Sequence, residues 1–90
     1  MVEITADEAF LDHHCGIGAV TDVKRPYRWD WRKNGALIAG APSACVYVTP
    51  PLKMTDFGSE FAVTVFGLDG EVEDSNTVTL DMSTRRLQQQ

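Results

Sequence analysis

The stretch Tyr27-Arg28-Trp29-Asp30-Trp31-Arg32-Lys33-Asn34-Gly35 limits this chain's options more than any other. Aromatics at 27, 29 and 31 alternate with charges at 28, 30 and 32. A period of two puts the rings on one face of a strand and the charges on the other. Asn34-Gly35 follows at once. Asn-Gly is the strongest short hairpin signal, because both residues accept positive φ. Leu37 and Ile38 begin the return strand. Both of the chain's Trp lie in this hairpin, which carries them into a core.

The rest of the chain reads as strands. Val2 and Ile4 alternate with Glu3 and Thr5. Ala6 to Asp12 reads either as one helical turn or as a second short strand with Phe10 inward. Cys15, Ile17 and Ala19 share a face, with Gly16 and Gly18 on the other marking close backbone approach or a bulge. Asp22 to Pro26 is a polar connection. Ala44 to Thr49 alternates Cys45 and Tyr47 against Val46 and Val48, and Pro50-Pro51 ends it, since proline cannot donate to a ladder. Leu52 to Gly58 predicts a turn with a 3₁₀ element and Met54 buried, with Leu52 as a second candidate for burial. Phe61, Val63 and Val65 alternate with Ala62, Thr64 and Phe66. Asp69-Gly70 is a second hairpin turn. Val72, Val78, Leu80 and Met82 form the last strand, with Asp74-Ser75-Asn76 as an interruption. About seven short strands with regular turn signals predict an all-β fold, an immunoglobulin-like antiparallel β-sandwich. The choice between Ig-like and fibronectin-like topology stays open. The division is one domain over residues 1–82 and a polar tail over residues 83–90.

Charge and composition narrow the function. A net charge of −5 disfavours nucleic acid or an anionic membrane as partner. No apolar run nears the ~20 residues of a membrane span. Met1 to Asp12 carries Glu3, Asp7 and Glu8 and no basic region, unlike a secretory signal. His13-His14-Cys15 invites a zinc reading. The fourth ligand is missing, however, and neighbours on a strand point apart, so no metal and no cofactor is expected. His13 and His14 have no spacing that fixes a nucleophile–base pair with Ser43 or Ser59, so no catalytic residue is assigned. Lys24 and Arg25 are expected to face Asp69 and Glu71 where two loops meet at one end of the sandwich. Phe66 is expected to point outward under Arg28 in a cation–π stack. Val46 and Val48 form a small exposed apolar pair, a surface to pack under the tail or against another chain.

Several pieces occur together and in order. They are Trp29-Asp30-Trp31-Arg32-Lys33-Asn34-Gly35, Ile38-Ala39-Gly40-Ala41, Tyr47-Val48-Thr49-Pro50, Asp56-Phe57-Gly58, Phe61-Ala62-Val63-Thr64-Val65, Gly70-Glu71-Val72 and Val78-Thr79-Leu80. The set resembles the bacterial and phage immunoglobulin-like (I-set-like) domains over Tyr27 to Met82. The resemblance implies that Trp31 is the buried strand-C Trp. Phe61 stands where the family usually has its corner Tyr, and lacks the hydroxyl for that hydrogen bond. Val63 and Ile17 stand where animal Ig domains have their intersheet disulfide. Ile17, Trp29, Trp31, Tyr47, Phe61, Val63 and Leu80 are the expected core, and Cys15 and Cys45 are expected to be reduced and both buried.

The resemblance also implies a non-enzymatic role. Its narrowest form is a decoration protein on a phage capsid or tail, made in the host cytoplasm without a signal peptide and displayed on the virion surface. Its partner would be the major capsid protein or another virion protein, with weak adhesion to host-surface glycans. The alternative is an adhesion or carbohydrate-contacting module of a bacterial surface protein. The expected partner-binding residues are Val46, Val48, Phe66, Arg85, Arg86 and Leu87. The last three sit on a tail whose two Arg suit an acidic partner surface.

Overall fold

The computed structural model describes residues 1–82. Eight strands form two antiparallel sheets: β1 (Val2–Ala6), β2 (Gly16–Thr21), β3 (Pro26–Lys33), β4 (Ala36–Leu37), β5 (Val46–Val48), β6 (Glu60–Gly67), β7 (Val72–Asp74) and β8 (Val78–Thr79). One sheet runs β1-β2-β5. The other runs β4-β3-β6-β7, with β8 also on β6. This is the immunoglobulin-like sandwich. The short fourth strand pairs with β3, whereas constant-type Ig domains put theirs on the other sheet beside the strand equivalent to β5. With no fourth strand beside β5 among the described residues, the order of the two sheets is the fibronectin-like one.

The hairpin at the centre forms for the reasons its residues give. Asn34 and Gly35 both take positive φ, 52° and 85°. Asn34 also ties the turn to β6: its amide donates to the Glu60 carbonyl at 2.7 Å, and its Oδ1 accepts from Glu60 N–H at 2.9 Å. β3 then pairs with β6 over most of its length, Trp31 opposite Val63. Trp31 is 1% exposed and packs against Tyr47, ring centroids 5.9 Å apart. Its indole N–H donates to the Ala44 carbonyl at 2.8 Å, so the one polar atom of the ring is satisfied inside. Ile17, Phe61, Val63, Val65 and Leu80 complete the buried centre.

The three rings of the β3 face are not equally buried. Trp31 is in the core, Trp29 is half-buried against it, and Tyr27 is 56% exposed. Tyr27 lies near the start of β3, beside the loop that enters it from β2, and the rings are buried progressively along the strand. Met54 corrects another expectation. It lies on the 3₁₀ turn (Met54–Asp56) and is exposed, while Leu52 is the residue that enters the core. Ala6 to Asp12 forms no helix; Ala9 and Leu11 make isolated bridges to Met82 and Leu52.

The loops before β3 and after β6 do meet, but through backbone. Leu68 N–H donates to the Arg25 carbonyl at 3.1 Å, and Lys24 N–H reaches a Glu71 carboxylate oxygen at 3.4 Å. Among the described residues, no side-chain ion pair joins Lys24 or Arg25 to Asp69 or Glu71. What permits the approach is Gly67. A Cβ there would stand 2.8 Å from the Lys24 carbonyl oxygen and 2.9 Å from a Val23 methyl.

The two cysteines fall at opposite ends of one strand pair. Extending the β2–β5 register places Cys15 opposite Thr49 and Cys45 opposite Ala19. Four residues of strand separate them, about 13 Å, beyond the reach of a disulfide. Both are free, but only Cys15 is buried; Cys45 is exposed, against expectation. Alternation points Cys45 inward, but it lies just outside β5, before the strand begins. Burial, reinforced by the nearby Asp7 charge, pushes the Cys15 thiol above its ordinary pKa.

Candidate interaction edge

The three-stranded sheet has two edges, and they differ. On β1, the backbone of Glu3 and Thr5 faces β2, which leaves Val2, Ile4 and Ala6 facing outward. Asn76 meets Ile4 with both ends of its amide. Its Oδ1 accepts from Ile4 N–H at 2.8 Å, and its Nδ2 donates to the Ile4 carbonyl at 3.2 Å. Val2 bridges Ser75. Ser75 in turn serves β6: its Oγ accepts from Val63 N–H at 2.9 Å and its own N–H donates to the Val63 carbonyl at 2.9 Å. The interruption between β7 and β8 thus joins the two sheets along this side.

The β5 edge has no such cover. Ala19 N–H donates to the Cys45 carbonyl at 2.8 Å and Thr49 N–H to the Cys15 carbonyl at 2.9 Å. Antiparallel alternation then assigns Tyr47 to the same bonded set and turns the N–H and C=O of Val46 and Val48 away from β2. No described residue receives them. Their side chains are also exposed, 47% and 56%.

Beside this edge lies an open groove of about 400 Å³ between β5 and the segment that follows β4. Ile38, Ala39 and Pro42 line one side; Tyr47, Val48 and Pro50 line the other. His14 stands at one end, held by a 2.6 Å hydrogen bond between its Nδ1 and the Thr49 carbonyl. A smaller cavity of about 190 Å³ shares Ile38, Tyr47 and Pro50 and reaches the Lys33–Asp56 ion pair, 2.7 Å. Lys33, with a further hydrogen bond from Lys53 N–H, holds the Asp56 carboxyl below the usual carboxylate range. Tyr47 borders both cavities. It is 8% exposed, and its hydroxyl has no hydrogen-bond partner among the described residues. Burial raises its pKa, opposed by the Lys33 charge.

The residues expected to bind a partner do not gather in one place. Val46 and Val48 are at the β5 edge. Phe66 is on the outer face of the other sheet, where the Arg28 guanidinium lies 4.7 Å from its ring and grips Asp30 through two nitrogens at 2.9 and 3.0 Å. Arg85, Arg86 and Leu87 lie outside the described residues. Sequence reasoning missed the groove and Tyr47's part in it. The signal available was the run Ile38 to Pro42, small residues ending in a proline, next to an alternating strand. His13 and His14 share no hydrogen bond with Ser43 or Ser59; Ser43 Oγ instead accepts from Trp29 N–H at 2.8 Å. Among the described residues, no three His, Cys, Asp or Glu side chains converge as metal ligands would.

Two antiparallel sheets packed in this order define a fold class, the immunoglobulin-like β-sandwich. Among solved structures, a fibronectin(III)-like module of Clostridium thermocellum CbhA is similar to this chain. The likeness has a TM-score of 0.60 at 17% identity, over 92% of this chain and 99% of the module. At that identity the likeness carries the fold alone. No family model matches the chain, and no curated protein matches it by sequence.

Proposed function

We propose that this chain is a non-enzymatic accessory module that docks onto a larger protein assembly, and more narrowly a decoration protein on the outside of a phage capsid or tail. The observation that carries the docking role is the β5 edge, where two exposed valines sit beside unpaired backbone groups and a groove. Unpaired edges are templates for association, and proteins ordinarily blunt them with charge, proline or cover. The virion reading rests on the ordered motifs from Tyr27 to Met82 that resemble bacterial and phage Ig-like domains. Its partner is then the major capsid protein or another virion protein, with host-surface glycans as weak secondary contacts.

The test is cosedimentation of the purified chain with particles lacking it, at physiological salt. Saturable binding at a fixed ratio to the capsid protein supports the reading. Particles that leave the chain at the top of the gradient at every concentration reject it. A second reading, an adhesion or carbohydrate-contacting module of a bacterial surface protein, draws on the bacterial side of the same motif resemblance. A glycan array separates the two: strong glycan binding without particle binding favours the second.

A further inference from the structure

We infer that β5 captures an extended, neutral or basic peptide segment of a partner protein, which adds to the sheet as a strand beside Val46 and Val48. The inference deepens the docking role above and rests on it only for who supplies the segment.

Three features select this occupant. Val46 and Val48 each present a free N–H and C=O along the edge, a pattern that only another extended backbone satisfies in full. In strand addition, main-chain bonds supply affinity while pockets beside the edge read alternate side chains. The groove supplies such a pocket: Ile38, Pro42 and Pro50 offer an apolar lining for one aliphatic side chain. Tyr47 borders both this groove and the smaller cavity beside it, and its hydroxyl, solvent-accessible and without a hydrogen-bond partner among the described residues, fits a polar group of the peptide.

The sign of the charge follows from the whole chain. At −5, its field favours a neutral or basic segment over an acidic one. A second copy of β5 is a poor fit. The segment from Ile38 to Pro42 flanks this edge, so two copies pairing edge to edge would bring two such walls together. A single extended peptide has no wall.

The experiment selects a ligand from a random peptide library on the immobilised full-length chain, then titrates the synthetic winner against labelled protein. The expected result is an enriched extended peptide that protects the Val46 and Val48 amides from hydrogen exchange. Val48→Pro removes one edge donor, and Ala39→Trp fills the groove without touching β5. Each is expected to weaken binding by about tenfold or more. Should Val48→Pro unfold the chain, Ala39→Trp carries the comparison, with the melting curve as control. The inference fails if no peptide is enriched, or if the perturbed amides lie elsewhere. It also fails if a folded Ala39→Trp binds as tightly as the parent. Concentration-dependent self-association that protects the same amides would overturn it in favour of a second copy. Protection already present in the free chain, lost when Arg85 and Arg86 are replaced by Ala, would overturn it in favour of the chain's own tail. Peptide binding and particle cosedimentation are read separately, so failure of one leaves the other standing.

Discussion

The two edges of the β1-β2-β5 sheet face the same physical problem and meet it in opposite ways. Each turns alternate residues' backbone donors and acceptors away from the sheet. At β1, the Asn76 amide supplies a side-chain imitation of a strand, and Ile4 is 1% exposed. At β5, Val46 and Val48 stay open to solvent. A sandwich of this size therefore does not need both sides closed. One side is joined across the sheets and the other is open among the described residues, which is why the docking role proposed above is placed there.

The largest expected effect comes from beneath the open edge. Trp31 supports β5 through Tyr47 and holds the strand's approach through its bond to the Ala44 carbonyl. Trp31→Ala is expected to destabilise the domain by about 3–5 kcal/mol, enough to unfold much of it. Trp31→Phe keeps most of the apolar area and loses the bond. Chemical denaturation should rank the two variants in that order. Equal stability of Trp31→Ala and the parent would show that the open side is held up by something else.

The closed edge should respond less in energy but more in character. Asn76→Ala leaves the Ile4 N–H and C=O without partners, a loss of about 1–3 kcal/mol. It also converts β1 into a second open edge. Hydrogen exchange at Ile4 should rise, and the variant should self-associate at concentrations where the parent does not. Asn76→Asp keeps the acceptor for Ile4 N–H and loses the donor to its carbonyl, so it should fall between. A variant with parent-like exchange at Ile4 would erase the distinction between the edges.

The smallest effect is chemical. Cys45, next to the open edge, should react with a thiol reagent in the native protein, while buried Cys15 should react only after denaturation. Cys45→Ser should change stability by less than about 0.5 kcal/mol. Labelling of neither thiol before denaturation, followed by both thiols by mass, would show that the end of β5 is covered in solution.

How much of this was legible before the structure depended on range. Alternation along Phe61, Val63 and Val65, and the Asn34-Gly35 turn, are local facts that each strand carries in its own residues. The fold class followed from them. Alternation also singled out Val46 and Val48 as outward. It could not say that Cys45, on the inward phase, would be exposed, nor that Tyr27 would be, on the same face as buried Trp31. Period two reports which face a residue takes, not whether anything lies across from it. Asn76 was passed over because polar residues between two apolar runs read as a loop. Its partner, Ile4, stands 72 positions away, where no pattern within either segment can point. Gly67 was missed for the same reason: its small size is required by Lys24 and Val23, residues of another loop.

The distance between Ile4 and Asn76 also has a meaning in time. A ribosome adds about 5–20 residues per second, so the 72 positions between them represent roughly 4–14 s of synthesis. Throughout that interval β1 can pair with β2, its neighbour in sequence, while its outer edge has no amide to meet it. Contacts this remote in sequence form late and slowly. A nascent chain of this protein therefore spends seconds with two open edges rather than one. Neighbouring chains on the same message are the strands nearest to hand. The residue that decides how long that exposure lasts is made 72 positions after the strand it covers.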